Sequence, residues 1–380
     1  MKRIFLDYNS TTPVAAEVVS AMLPYFSEHF GNASSSHSYG QKATHAVDLA
    51  RTQVAKLIGA NADEIIFTGS GTEANNLAII GIAHKFKEKG NHIITSSIEH
   101  SSVYNTCKYL ESCGFEITYL SVDNSGKIKL SELESFIKKE TILVSVMVAN
   151  NETGVVQNIR EISEIVAKYS IFTHSDAVQA LGKMYVNVND MGVDLLSVSA
   201  HKIYGPKGVG ALFLRRGLGI SPIIHGGGQE KKMRSGTENV PGIVGFGKAC
   251  ELAMTNLDKN IVHLQKTRDL FEKEIRNCIS GIKINSFETD RIPNTSSTTF
   301  PDISSETLLV KLDLNGIAAS SGAACSEAGT EPSRILKALG LSKKEQHCTV
   351  RFSVGLHTTK EEINYVVQTL KNIVKNNYSS

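Results

Sequence analysis

Three short stretches of this 380-residue sequence carry residue types that could act together on one small ligand. Gly69-Ser70-Gly71-Thr72 follows a β-rich run at 64–68 and leads into an apolar helical pattern. Small residues at a strand-to-helix turn let backbone N–H groups and a hydroxyl approach an anion at the positive end of the helix. The Gly-Lys-Ser/Thr ending of a nucleoside-triphosphate loop is absent. Asp176 closes a second run, Ile171-Phe172-Thr173-His174-Ser175, and Lys202 follows a third, Leu195-Leu196-Ser197-Val198-Ser199-Ala200-His201. The chain between Asp176 and Lys202 is long enough for a crossover that returns to the same sheet edge. Ligands of open α/β sheets sit at the carboxyl ends of strands.

Taken singly, Asp176 reads as a helix cap, Lys202 as a solvated lysine and the 69–72 turn as an ordinary βα turn. Together they supply an amine for a Schiff base, an anion for a ring nitrogen and donors for a phosphate, which is the set pyridoxal phosphate requires. The glycine-rich run Gly205-Pro206-Lys207-Gly208-Val209-Gly210 then leads tightly into another strand.

These residues need a scaffold, and the patterning supplies one. Ala43, Val47, Ala50, Val54 and Leu57 keep helical spacing. Seven β-rich runs follow at 64–68, 92–95, 115–122, 141–149, 171–174, 193–199 and 210–214. Helical stretches between several of them, such as Ile162, Ile165, Val166 and Tyr169 on one face, predict right-handed crossovers. The expected fold class is α/β, with a mostly parallel sheet covered on both faces. Near residue 255 the pattern changes to a long helix with Leu257, Ile261, Leu264, Phe271, Ile275 and Cys278 on one stripe. Short strands around 296–300 and 350–354 and helices at 304–315, 332–339 and 360–373 then predict a small α+β domain. The expected division is a large domain over 16–254 and a small one from 1–15 with 255–380. No repeat is visible, and the Ser/Gly/Ala cluster at 318–330 reads as a loop.

Hydrophobic content of 41%, charged content of 21% and 8 prolines exclude disordered and collagen-like classes. Forty basic against 38 acidic side chains leave +2, without the footprint of a nucleic-acid binder. Apolar runs such as 142–149 fall far short of the roughly 20 residues that span a bilayer. Asp7 interrupts the N-terminus before a signal h-region can form, so a cytoplasmic protein is expected. Cysteines 107, 113, 250, 278, 325 and 348 are too sparse for a disulfide framework and form no Cys-x-x-Cys pair, so reduced thiols and no structural zinc are expected.

Further motifs make a specific set. They are 6–13 (Leu-Asp-Tyr-Asn-Ser-Thr-Thr-Pro), 31–37 (Gly-Asn-Ala-Ser-Ser-Ser-His), Glu99-His100, and 150–154 (Asn-Asn-Glu-Thr-Gly). To these add Ser199-Ala200-His201-Lys202, 225–230 (His-Gly-Gly-Gly-Gln-Glu), 234–239 (Arg-Ser-Gly-Thr-Glu-Asn), 321–325 (Ser-Gly-Ala-Ala-Cys) and Val350-Arg351-Phe352-Ser353. In this order, over nearly the whole length, the sequence resembles the NifS/IscS-type cysteine desulfurases of the class V aminotransferase family, fold-type-I pyridoxal-phosphate enzymes. The resemblance implies that Lys202 is the Schiff-base lysine, Asp176 the partner of the pyridine nitrogen and His100 a ring stacked on the cofactor and a proton carrier with Lys202. It implies that Gln179 and Asn151 lie at the ring oxygen and that Gly71, Thr72, Ser199 and His201 hold the phosphate. Thr237 would reach in from the other subunit of a homodimer. Arg351, with Asn151 nearby, would bind the substrate carboxylate, a task suited to a guanidinium fork.

By the same resemblance Cys325 is the nucleophile. Its neighbours are small, a setting in which a thiol can swing, whereas the other five cysteines lie in or near apolar segments or turns, where a buried, inert thiol is expected; Cys348, close to Arg351, is the rival to check. The implied reaction converts L-cysteine to L-alanine and leaves a persulfide on Cys325 for an acceptor protein serving iron–sulfur cluster assembly or thiolation. No permanent metal is implied; Cys325 could share a cluster only in passing. The sequence departs from the usual pattern at Ala323, where Ser is common, at Ala33, where Pro is common, and in its Gly69-Ser70-Gly71-Thr72 turn. It also has a shorter tail after Arg351 than members that dock an iron–sulfur scaffold, a departure that bears against a scaffold partner; the expected acceptor is an iron–sulfur scaffold or a thiolation enzyme. A selenocysteine lyase or other β-eliminating enzyme on the same scaffold is the alternative activity, and a non-catalytic regulatory homologue a further one.

Overall fold

A computed structural model describes residues 3–321 and 333–377. Its strands, in chain order, are β1 (Ile4–Phe5), β2 (Ile65–Thr68), β3 (His92–Ser96), β4 (Glu116–Leu120), β5 (Thr141–Ser145) and β6 (Phe172–Asp176). There follow β7 (Leu195–Ser199), β8 (Gly210–Leu214), β9 (Lys283–Ile284), β10 (Thr295–Thr299), β11 (Ile317–Ala318) and β12 (Thr349–Ser353). Seven of them form one sheet in the order β2-β8-β7-β6-β5-β3-β4. Neighbours from β4 to β7 are parallel, and β8 is antiparallel to both β7 and β2. Strands β2, β3, β5, β7 and β8 are buried along their whole length, which explains why these runs show no apolar–polar alternation. All seven expected runs are strands of this sheet. The reversal at β8 follows from the short 200–209 connection, which cannot make the crossover a parallel neighbour needs.

The register decides which strand ends meet. Thr68 and Ser199 both pair with Gly210, so the ends of β2 and β7 lie one strand apart at the same edge. A Cβ on Gly210 would stand 2.6 Å from the Ser70 backbone, so only glycine allows the 69–72 turn to fold over this point. Asp176 pairs with Ser197 and brings the end of β6 to that edge as well.

A second apolar cluster, including Phe271, Phe300, Leu312, Phe352 and Leu370, surrounds the antiparallel sheet β12-β10-β9. The N-terminal stretch joins it: Ile4 and Leu6 are part of the cluster, and β1 pairs with β11. Helix Val240–Cys278 contributes to both cores and starts well before residue 255, the expected position. Its first turns contain Pro241, Gly242, Gly245 and Gly247, which hide the helical pattern in the sequence. Those glycines serve close packing: a Cβ at Gly247 would meet Ala50 and Gln53, and one at Gly245 would meet Met22 and Pro206.

Candidate active site

A cleft of about 220 Å³ opens at the shared strand edge. Ser10, Ser70, Gly71, Thr72, Asn75, His100, Ser102, Met147, Ala149, Asn151, Asp176, Val178, Gln179, Ser199, His201 and Lys202 line it. Nine of the residues given a site role from the sequence, Gly71, Thr72, His100, Asn151, Asp176, Gln179, Ser199, His201 and Lys202, are thus brought together. Helix Gly71–Lys85 points its N-terminus into the cleft, capped by Ser70, whose Oγ accepts the Glu73 N–H at 3.1 Å. A Cβ on Gly71 would lie 2.8 Å from Val178 Cγ2 and 3.3 Å from Ser199 Cβ, so the backbone here is open only because the residue is glycine. Ser199 Oγ and Asn151 Oδ1 are buried and have no hydrogen-bond partner among the described residues. Buried polar atoms of this kind call for a ligand. With free helix N–H groups, a carboxylate and an amine around the same space, the residues fit a phosphorylated pyridine aldehyde.

Asp176 is held from two sides: Oδ1 accepts the Val178 N–H at 2.9 Å and Oδ2 accepts Asn75 Nδ2 at 2.7 Å. Asn75 also donates to Ser102 Oγ at 2.8 Å, which links Asp176 to the His100 cap. His100 precedes helix Ser101–Ser112, and its Nδ1 accepts the Ser102 N–H at 3.1 Å. The neutral ring therefore carries its proton on Nε2. Burial lowers the basicity of His100, opposed by Asp176 and reinforced by Lys202 and Arg334. Burial, with Lys202, Lys207 and Lys183, brings His201 down to about 4, so it is a neutral ring at neutral pH.

Lys202 Nζ donates to the Asn9 carbonyl at 2.5 Å and to the Ser10 carbonyl at 2.8 Å. Gln179 lines the cleft, but its amide is already engaged: Nε2 donates to the same Asn9 carbonyl at 2.9 Å, and Oε1 accepts Lys183 Nζ at 2.9 Å. Asn9 is fixed in turn by Ser353, Asn294, Thr295 and the Asn151 carbonyl.

Arg351 lies on β12 behind the cleft lining. Its guanidinium donates to Asp7 Oδ1 at 2.7 Å and to the Asn151 carbonyl at 2.9 Å, and its buried Nε has no partner among the described residues. Thr237 is exposed and does not line the cleft of its own chain. Cys325 lies outside the described residues. Of the other thiols, Cys107, Cys250 and Cys348 are buried and Cys278 half-buried, while Cys113 is exposed, contrary to the expectation of a buried thiol. Cys113 keeps helical spacing from the buried Leu110 but stands at the C-cap of helix Ser101–Ser112, where the helix ends.

Sequence reasoning missed Asn9, Asn75 and Ser102. Asn75 lies one helical turn into the helix that begins at Gly71, which places it over the same cleft, and that spacing was the available signal. Ser102 follows the His100 cap directly. Asn9 lies in a motif noted from the sequence, but its contacts are to residues far along the chain.

The aminotransferase class-V family matches residues 4–366. The cysteine desulfurase IscS of Dictyoglomus turgidum is 49% identical over 376 residues, 99% of this chain and 95% of that protein. The cysteine desulfurase IscS of Methanosarcina thermophila is 47% identical over 98% of this chain and 92% of its own length. Among solved structures, a NifS-like protein superposes with a TM-score of 0.93 at 38% identity, covering 99% of this chain and all of the other. SspA in complex with cysteine gives a TM-score of 0.83 at 38% identity, covering 94% of this chain. The order of motifs, the sheet that gathers them and similarity at this identity over nearly the full length agree: the chain belongs to the class-V aminotransferase family, on its cysteine desulfurase branch.

Proposed function

We propose that the chain works as a pyridoxal-phosphate-dependent, homodimeric cysteine desulfurase in the cytoplasm. In this reading it takes sulfur from L-cysteine, releases L-alanine and holds the sulfur on Cys325 for an acceptor protein. One observation carries the reading: Lys202, Asp176 and the N-terminus of helix Gly71–Lys85 converge on a cleft whose Ser199 Oγ and Asn151 Oδ1 are buried without partners among the described residues. Residues 16–254 form the cofactor domain in this proposal, and 1–15 with 255–380 the small domain bearing Arg351 and Cys325. The cysteine-bound SspA structure supports cysteine as the substrate.

When bound, pyridoxal phosphate supplies a conjugated ring that accepts the electron pair left at the substrate's α-carbon. Lys202 anchors its aldehyde, Asp176 keeps its ring nitrogen protonated, and Gln179 donates to its ring oxygen beside Asn151. Ser199, His201 and the Gly71 and Thr72 end of the helix hold its phosphate, with Thr237 of a second copy reaching in. Arg351 binds the substrate carboxylate, through a guanidinium whose Nε is still uncommitted. Lys202 would take the substrate's α-proton, and His100 Nε2 would exchange a second proton beside the cofactor. The Cys325 thiolate attacks the substrate's sulfur: an S–S bond forms, the carbon–sulfur bond breaks, and a proton on the carbon completes alanine.

Protein supplied with pyridoxal phosphate and L-cysteine should release alanine and gain a sulfur atom on Cys325, read by mass spectrometry of the digest. Absence of alanine would overturn the reading. Alanine with no sulfur on any thiol would leave a lyase in place of a sulfurtransferase.

A further inference from the structure

Lys183 is a buried lysine with no part in the reaction described above. It lines a second cavity, of about 180 Å³, which shares Lys202 with the active-site cleft and includes Tyr8, Tyr204 and His357. Its Nζ donates to Gln179 Oε1 at 2.9 Å, and among the described residues no carboxylate pairs with it. Burial, with Lys202 and Arg351 nearby, pushes its ammonium well below the ordinary lysine range. A buried lysine without a counter-ion is costly, and its surroundings here are specific.

Gln179 is gripped from both ends. The Asn9 carbonyl can only accept, so it takes Nε2, and Lys183 Nζ donates to the Oε1 left at the other end. This fixes the amide orientation and leaves the second N–H of Nε2 as its uncommitted donor, on a residue that lines the cleft. Lys202 donates to the same Asn9 carbonyl. When Lys202 turns to the cofactor it leaves that carbonyl, and Lys183 and Asn9 are what still orient Gln179.

We propose that Lys183 is a positioning residue, which through Gln179 keeps an N–H donor turned toward the ring oxygen of bound pyridoxal phosphate. The inference rests on the reading of Gln179 as that donor. In the holoenzyme, Lys183→Met removes the donor to Oε1 while keeping the length and burial of the side chain. The visible absorption maximum should shift, and cofactor release into a trap should quicken about three- to tenfold, the worth of one hydrogen bond. The thermal midpoint of the apoprotein should stay or rise, because a buried lysine with no carboxylate partner among the described residues has been replaced by an apolar chain. Lys183→Gln restores a donor and should return the spectrum toward the native one. Gln179→Leu should shift the spectrum by itself, and adding Lys183→Met to it should change nothing further. If Gln179→Leu shifts the spectrum and Lys183→Met does not, the role of Lys183 is overturned. If Gln179→Leu has no effect either, the Gln179 reading beneath it fails instead.

Discussion

Arg351 and Ser320 are paired through their backbones: the Arg351 N–H donates to the Ser320 carbonyl at 2.7 Å, and the Ser320 N–H to the Arg351 carbonyl at 3.2 Å. The residue read as the carboxylate receptor is thus tied to the chain just before the stretch that contains Cys325. On the other side of that stretch, Ser333 Oγ donates to Glu152 Oε2 at 2.6 Å. Arg334 donates to the Ser97 and Glu99 carbonyls, and its guanidinium lies 3.9 Å from the centre of the Tyr104 ring. Both attachments therefore fall on neighbours of site residues, Glu152 beside Asn151 and Glu99 beside His100.

Ser333→Ala tests the second attachment. Glu152 is buried, and burial raises its carboxyl pKa against the opposing Ser333 hydrogen bond. Losing that donor should cost about 1–3 kcal/mol of stability, read by urea unfolding. Persulfide formation on Cys325 should slow while cofactor absorbance is unchanged. A variant that forms persulfide at the native rate would show that this anchor does not position the thiol.

The thiols should separate cleanly. Cys325→Ala should abolish persulfide while the cofactor still binds. Cys348→Ala should leave sulfur transfer intact, because Cys348 is buried and burial pushes its thiol pKa up, away from the reactive thiolate. Persulfide that survives on Cys348 in the Cys325→Ala protein would reverse the assignment.

Glu99 should make stability fall on the alkaline side. Burial, with Asp176, lifts its carboxyl from 4.5 to about 8 against hydrogen bonds from Ser96 and the Met147 N–H and the charge of Arg334. The native state holds a proton that the unfolded chain loses above pH 4.5, so this contribution is complete at acid pH and is lost as pH rises through about 8. Glu99→Gln keeps a neutral group of the same shape. Unfolding free energies at pH 5 and pH 9 should differ by on the order of 1–3 kcal/mol less in the variant than in the native protein.

Glu230, Lys231 and Lys232 form a left-handed turn with φ of 44°, 59° and 65°. An L-residue there costs roughly 1–2 kcal/mol. Lys232→Gly should therefore stabilise the protein by about 0.5–1 kcal/mol after the entropy glycine adds to the unfolded chain. Glu230 is different, since its carboxylate accepts Arg51 at 2.7 and 2.8 Å and the Phe67 N–H at 2.8 Å. Glu230→Gln should cost about 3–5 kcal/mol by leaving Arg51 poorly compensated. Denaturant midpoints of the two variants should move in opposite directions.

Strand ends and glycine turns could be read directly, because their signals are local. The β-rich runs, the small residues at 69–72, Asp176 at the end of β6 and Lys202 just past β7 each announce themselves within a few residues. That was enough to read the α/β class and to propose the cofactor chemistry. The start of helix Val240–Cys278 was hidden, because its glycines are there to let other elements approach rather than to favour helix.

The amino-acid order by itself determined which chemical groups are present and that the sheet would carry them to one edge, since strand patterning and βα turns depend on near neighbours. Only the tertiary structure decided how those groups are held. Asn9 bridges Lys202, Gln179 and Asn151, Asn75 buttresses Asp176, and Lys183 holds Gln179 from behind. A hydrogen bond gives most in a site that water cannot reach, and which polar groups share such a site depends on how distant segments pack, which no local pattern records.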